Sequence, residues 1–307
     1  MYFPYFRGRQ YELLALRDLV KLELINKAII PVIEPIKLSA TLNGLIEVCG
    51  KSSHPVGLIL NPAVGDLSGD TSSFTEILDL FPSSYIIPAV IINKKLGSIL
   101  SDEQIQKKFK KSDVLAVFSD RDYLAVYREM FNDNSPKYNL IPEDRQIRRE
   151  VKGNKVLFED RFNKQPKNAQ YPEEEFFSDD HLFFNAENYV GFGDYSIVGN
   201  EFNEGGWAPY AVVIHMVYFA DDDTLRIKHF ISDTNDNPND VAGKFYEAVS
   251  KLNTWAASAD DKQMTYGLST YLKHFQNGTY PGLPTLKKLS IMHHLELISK
   301  YIKEGET

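Results

Sequence analysis

The feature that most constrains this chain is a spacing. Eight short apolar runs close on polar or charged residues at Arg7, Glu34, Asn61, Asn93, Asp120, Glu143, Asp160 and Asp194, at intervals of 27, 27, 32, 27, 23, 17 and 34 residues. Runs such as AIIPVIEPI and YIIPAVIIN are too short and too proline-punctuated for helices, and their continuous apolar character fits strands buried on both faces. Between the runs lie helical patterns. Leu13, Leu16, Val20 and Leu24 recur after Arg9 with Asn26 as a stop, a helix is expected near residues 74–80, and Ser101 with Gln104 reads as a capping box. Repeated strand–helix units with buried strands predict an α/β fold, a (β/α)8 TIM-like barrel, ahead of an open doubly wound sheet. Neither a GxGxxG turn nor a GxxxxGK[ST] loop is present, which weakens the nucleotide-binding form of the open sheet.

Past Asp194 the pattern changes. YAVVIHMVYF and LRIKHFIS flank Asp221 to Asp223 and read as a β-hairpin, followed by helical stretches near 240–255, 266–275 and 286–302. No Gly/Ser/Pro-rich linker precedes them, so a single barrel domain over 1–307 is expected, with 195–307 completing or covering it. The formal charge of -8 argues against a broad basic face around duplex nucleic acid and leaves room for a local basic pocket. One cysteine, Cys49, allows no internal disulfide and no cysteine zinc cluster, which suits a reducing cytoplasm. The apolar runs fall well short of the roughly 20 residues of a membrane span, so neither spanning nor secretion is expected.

Ligands of such a barrel bind at the C-terminal ends of its strands. The carboxylates Glu34, Asp120, Asp160 and Asp194 suit acid/base catalysis or a hard divalent cation such as Mg²⁺ or Mn²⁺. Arg7, Arg9, Lys37, Asn61, Asn93 and Arg161 suit the binding of an anionic ligand. Against both stands the plain alternative that strand-to-loop junctions are polar anyway and that these charges pair with one another. Gly8 permits a tight turn, so that Arg7 can point into the mouth while Arg9 opens a helix. In FEDRFNKQ, Glu159 and Asp160 must face opposite sides, and the rim pattern favours Asp160. GFGDYSIVGNEFNEGGWAP reads either as a set of positive-φ turns or as a lip over the mouth.

Other constellations are weaker. A three-residue hairpin loop would set His215 opposite His229, a pairing that is usually packing. His293 and His294 are adjacent and cannot form HExxH zinc spacing. Asp179 to His181 follow an acidic stretch and read as a solvated helix start. A short basic segment holds Arg145, Arg148 and Arg149, there is no GxSxG, and Cys49 has no activating signature.

Taken together, MYFPYFRGRQYELLALRDL, IIPVIEPIKLSATL, FEDRFNKQ, DDHLFF, GFGDYSIVG, APYAVVIHMVYF, LRIKHFISD and KLSIMHHLE resemble the bacterial beta protein family, named for a phage relative. The likeness runs from the first residue to about His294. It implies a cytoplasmic, barrel-shaped protein from mobile or defence-associated gene neighbourhoods, with a protein partner encoded nearby, sometimes nuclease-like. It carries no catalytic residues over. Two functions follow as expectations. The first is an accessory or sensor subunit of a bacterial anti-phage defence system that binds an anionic ligand or partner segment at the barrel mouth. The second is a metal-dependent phosphodiesterase or related hydrolase. Barrel phosphodiesterases of the glycerophosphodiester type place His-Arg-Gly at the first strand end; here Phe6 stands where the histidine would be, although Glu34 is suitably placed.

Overall fold

Eight apolar runs become eight parallel strands. The computed structural model describes residues 1–68, 77, 85–203, 205, 209–258 and 260–304, so the helix expected near 74–80 lies, except for Ile77, outside the described residues. By its contacts the chain divides into two compact units, one of residues 1–13, 27–159 and 183–195, the other of residues 14–26, 160–182 and 196–307.

The first unit is the barrel. Its strands are β1 (Tyr5–Phe6), β2 (Val32–Ile33), β3 (Val56–Ile59), β4 (Ile86–Ile92), β5 (Leu115–Phe118), β6 (Tyr138–Ile141), β7 (Lys155–Glu159) and β9 (Gly191–Asp194), paired in that order. A parallel bridge between Tyr2 and Phe192 joins last to first. There Phe3 N–H donates to Phe192 O at 2.8 Å and Phe192 N–H donates to Met1 O at 3.1 Å, so the sheet closes on itself. Helices around it include Ala40–Ser52, Leu124–Phe131 and Arg145–Glu150. This is the (β/α)8 architecture that the spacing predicts.

Glycine makes the seam possible. A Cβ on Gly193 would lie 2.4 Å from Phe3 O, and one on Gly191 would lie 2.6 Å from Met1 O. Neither glycine has a positive φ; both serve close backbone approach. Inward side chains such as Phe3, Tyr5, Val32, Ile59, Leu140 and Phe158 fill the ring. Strand side chains alternate between faces, so the inward series on β1 continues to Arg7 and that on β2 to Glu34. On β9 the inward positions are Gly191 and Gly193, which turns Tyr195 inward and Asp194 outward.

Two local expectations change. The first helix spans Gln10–Lys21 and stops well before Asn26. Glu23 adopts φ 55 and Leu24 N–H donates to Leu19 O at 2.9 Å, a left-handed termination that ends the helix early. The helix expected to open at Ser101 begins as Glu103–Lys108, with Asp102 Oδ1 accepting from Ile105 N–H at 3.4 Å; the Gln104 side chain of the expected capping box lies outside the described residues. The Asp102 carboxylate meets the first-turn amide from the position just before the helix.

The second unit holds a three-stranded antiparallel sheet in the order β10 (Val213–Phe219), β11 (Leu225–Ile231), β8 (Glu174–Ser178). The hairpin has its three-residue loop, with Asp223 at φ 60 and Ala220 N–H donating to Thr224 O at 2.9 Å. Sequence reading leaves β8 as a polar stretch. It becomes a strand because Arg226 and Lys228 on β11 both bond the Glu174 carboxylate at 2.5 Å, while Phe177 is buried. The helices Val241–Ala256, Tyr266–Gln276 and Leu283–Glu304 follow close to the expected spans.

Candidate functional site

Arg7 follows β1 and Glu34 follows β2, and these strands are neighbours in the ring, so sequence places the two side chains side by side at its C-terminal end. Arg7 Nε lies 3.3 Å from Glu34 Oε2. Glu34 is only 1% exposed and has donors at both oxygens: the Tyr5 hydroxyl donates to Oε2 at 2.8 Å and Ala63 N–H donates to Oε1 at 2.6 Å. A carboxylate with both oxygens engaged is a positioning group, holding Arg7 and compensating its charge where burial would otherwise be costly. Burial, and then the Glu34 charge, push the Tyr5 phenol well above its ordinary value, so it remains a hydrogen-bond donor.

Aromatic rings hold the other side of the guanidinium. Arg7 Cζ stands 5.5 Å from the centroid of the Tyr195 ring, within cation–π range. Tyr5, Phe158 and Tyr195 form a triangle with centroids 5.0 to 5.8 Å apart. Gly8 makes the turn, at φ 60, with the position of a Cβ only 3.0 Å from Glu34 O. Among the described residues the terminal nitrogens of Arg7 have no hydrogen-bond partner, and its side chain is 15% exposed. The guanidinium is thus held by charge beside Glu34 and over the Tyr195 face, with its buried Nε making no hydrogen bond.

Within the barrel unit, Arg7 and Glu34 are the sequence-predicted residues that the structure brings together. Asn61 is buried and braces β3 to β4, its Nδ2 donating to Ile91 O and its Oδ1 accepting from Ile91 N–H, both at 2.8 Å. Asn93 Oδ1 accepts from Lys95 N–H at 3.0 Å in a local turn. Asp120 is exposed and caps the 3-10 turn Arg121–Tyr123. Asp194 accepts from the Tyr2 hydroxyl at 2.7 Å, on the outward side. Lys37 is exposed, and Arg9 N–H bonds the Glu12 carboxylate at 3.3 Å where the first helix begins. Glu159 Oε1 accepts from Glu143 N–H at 2.6 Å. Asp160 and Arg161 belong to the second unit. There Asp160 accepts from Phe162 N–H at 3.1 Å and Asn200 N–H at 2.8 Å, and Arg161 forms a two-pronged pair with Asp180 at 2.6 and 2.8 Å. Among the described residues no three His, Cys, Asp or Glu side chains form a set able to hold a metal ion.

Sequence reading missed Tyr5 and the Ala63 amide. Tyr5 was detectable, since it lies two positions before Arg7 on the same strand face; the Ala63 amide carries no side-chain signal.

The second unit carries a polar row across its sheet. Glu175 Oε1 lies 3.1 Å from His229 Nε2, and His229 Nδ1 lies 2.7 Å from His215 Nδ1. Tyr171 packs on both imidazoles at 4.7 Å. Burial, and then the neighbouring His229, pull His215 well below its ordinary value; burial also lowers His229, against the raising pull of Glu175. The Asp180–His181 pair is not a solvated helix start. Asp180 is 5% exposed beneath Arg161, and His181 is 4% exposed with Nε2 2.8 Å from Asp223 O.

Among the described residues no helix is long and apolar enough to cross a membrane. Compared with models of protein families, with curated proteins and with solved structures, the chain finds no match.

Proposed function

We propose that this chain is a ligand-binding accessory or sensor subunit of a bacterial anti-phage defence assembly, and that its barrel mouth receives an anionic group on Arg7. One observation supports the binding half of this reading: a guanidinium at the strand ends, paired by charge with Glu34 and lying over Tyr195, that spends none of its N–H groups on hydrogen bonds among the described residues. A guanidinium offers two parallel donors to a phosphate or carboxylate. The sensor half, with its nearby-encoded protein partner, rests on the family resemblance of the sequence.

The test is calorimetric titration of the purified chain with nucleotides and with simple carboxylates. Saturable binding that is lost in Arg7→Ala supports the reading, and binding indifferent to that substitution ends it. Co-expression with the neighbouring gene products tests the partner, which is expected to co-purify in stoichiometric amount.

A further inference from the structure

The barrel unit has a second concave basic feature, far from the mouth along the strands. A cavity of about 250 Å³ lies between the ends of the helices Leu124–Phe131 and Arg145–Glu150, lined among others by Arg128, Asn132, Ser135, Arg149, Glu150 and Lys152. These segments lead into the N-terminal ends of β6 and β7, whereas Arg7 and Glu34 follow the C-terminal ends of β1 and β2.

The charge balance is uneven. Glu150 is engaged by Arg128, whose Nε donates to Oε2 at 2.5 Å. Arg149 and Lys152 are exposed and have no side-chain partner among the described residues. The lining therefore presents two uncompensated positive charges. Cations near a helix C-terminus ordinarily answer the carbonyls and the dipole there. Here other groups answer three of those carbonyls: Lys111 Nζ donates to Met130 O at 2.8 Å, Lys155 Nζ to Arg148 O at 3.4 Å, and Val151 N–H to Ile147 O at 2.9 Å. None of these bonds uses the Arg149 or Lys152 side chain.

The walls are fixed. Tyr127 and Phe131 are each 4% exposed, and the Tyr127 hydroxyl donates to Asn139 Oδ1 at 3.0 Å. Gly153, at φ 83, packs its turn against Ser135, where an added Cβ would lie 3.1 Å from the serine Cβ. A volume below the roughly 300 Å³ of common drug-sized sites excludes a large ligand. A net double positive charge that includes a guanidinium matches a dianionic phosphate better than a carboxylate. We infer that this pocket binds the phosphate group of a small phosphorylated molecule, independently of the mouth.

The experiment uses the full chain carrying Arg7→Ala, which disables the mouth, titrated at low ionic strength with glycerol 3-phosphate and separately with inorganic phosphate. One saturable site for glycerol 3-phosphate is expected. Adding Arg149→Ala and Lys152→Ala should weaken it by about tenfold to a hundredfold, the loss of one or two charged hydrogen bonds. A control pair, Lys51→Ala with Lys107→Ala, makes the same change in net charge on exposed residues and should leave binding intact. In the unaltered chain the Arg149 and Lys152 changes should weaken this binding event to the same extent. Absence of saturation, insensitivity to those changes, or equal weakening by the control pair overturns the inference. Binding of inorganic phosphate without glycerol 3-phosphate overturns the assignment to a phosphorylated molecule.

Discussion

The Nδ1 atoms of His215 and His229 stand 2.7 Å apart on facing strands, so one carries a proton and the other a lone pair. Glu175 decides which. As an acceptor it takes the Nε2 proton of His229, leaving His229 Nδ1 to accept from His215 Nδ1–H. Nitrogen-15 spectra of the imidazoles should show His215 as the Nδ1–H tautomer and His229 as the Nε2–H tautomer near neutral pH. Two Nε2–H tautomers would contradict the row.

Acid should destabilise the second unit. Burial lowers the pKa values of His181, His215, His229, His293 and His294 from 6.5, with His293 at about 4. A depressed folded value means that the unfolded chain binds protons first as pH falls. The stability is therefore full above 6.5 and lost progressively as pH falls, through about 4 for His293 and about 3 for His294, at about 1.4 kcal/mol per group and pH unit. Urea midpoints should fall across that window, and His293→Leu should flatten the slope. A constant midpoint would refute the burial of these groups.

Glu34→Ala should cost about 3 kcal/mol, because it leaves the Tyr5 hydroxyl and the Ala63 amide without their acceptor and a largely buried guanidinium without its counter-charge. Tyr5→Phe removes one of those bonds and should cost about 1 kcal/mol. Chemical denaturation measures both. Equal costs would mean that Glu34 is not the shared acceptor.

The two kinds of glycine should respond differently to alanine. Gly8→Ala meets a left-handed φ and a 3.0 Å contact with Glu34 O, and should lower stability by about 1–2 kcal/mol. Gly193→Ala meets backbone at 2.4 Å across the seam and should exceed about 3 kcal/mol or abolish the folded barrel. Thermal melts of the two variants should therefore separate clearly.

The barrel was legible because strand spacing and apolar continuity are properties of the chain itself. All eight runs form strands, and the expected three-residue hairpin loop sets His215 against His229. Where reading fell short, the cause is tertiary. β8 needs cations from β11 to become a strand, and the first helix ends by backbone geometry at Glu23, which has no side-chain signature. The rim was over-read because polarity at a strand end does not fix direction. Alternation from Phe3 and Tyr5 selects Arg7, and the same rule applied to Gly191 and Gly193 turns Asp194 away. Asn61 shares the inward series with Ile59, yet its amide is consumed by Ile91, a fate that only the neighbouring strand reveals.

The seam between Tyr2 and Phe192 has a consequence for biosynthesis. The bond from Tyr2 to Asp194 spans 192 positions, so the first strand emerges from the ribosome long before the segment that completes the ring. At about 5–20 residues per second that interval is roughly 10–40 s. Throughout it, the edge at Met1 and Phe3 has open backbone donors and acceptors, which makes the nascent barrel most vulnerable to chaperone capture or mispairing just before its own glycines arrive.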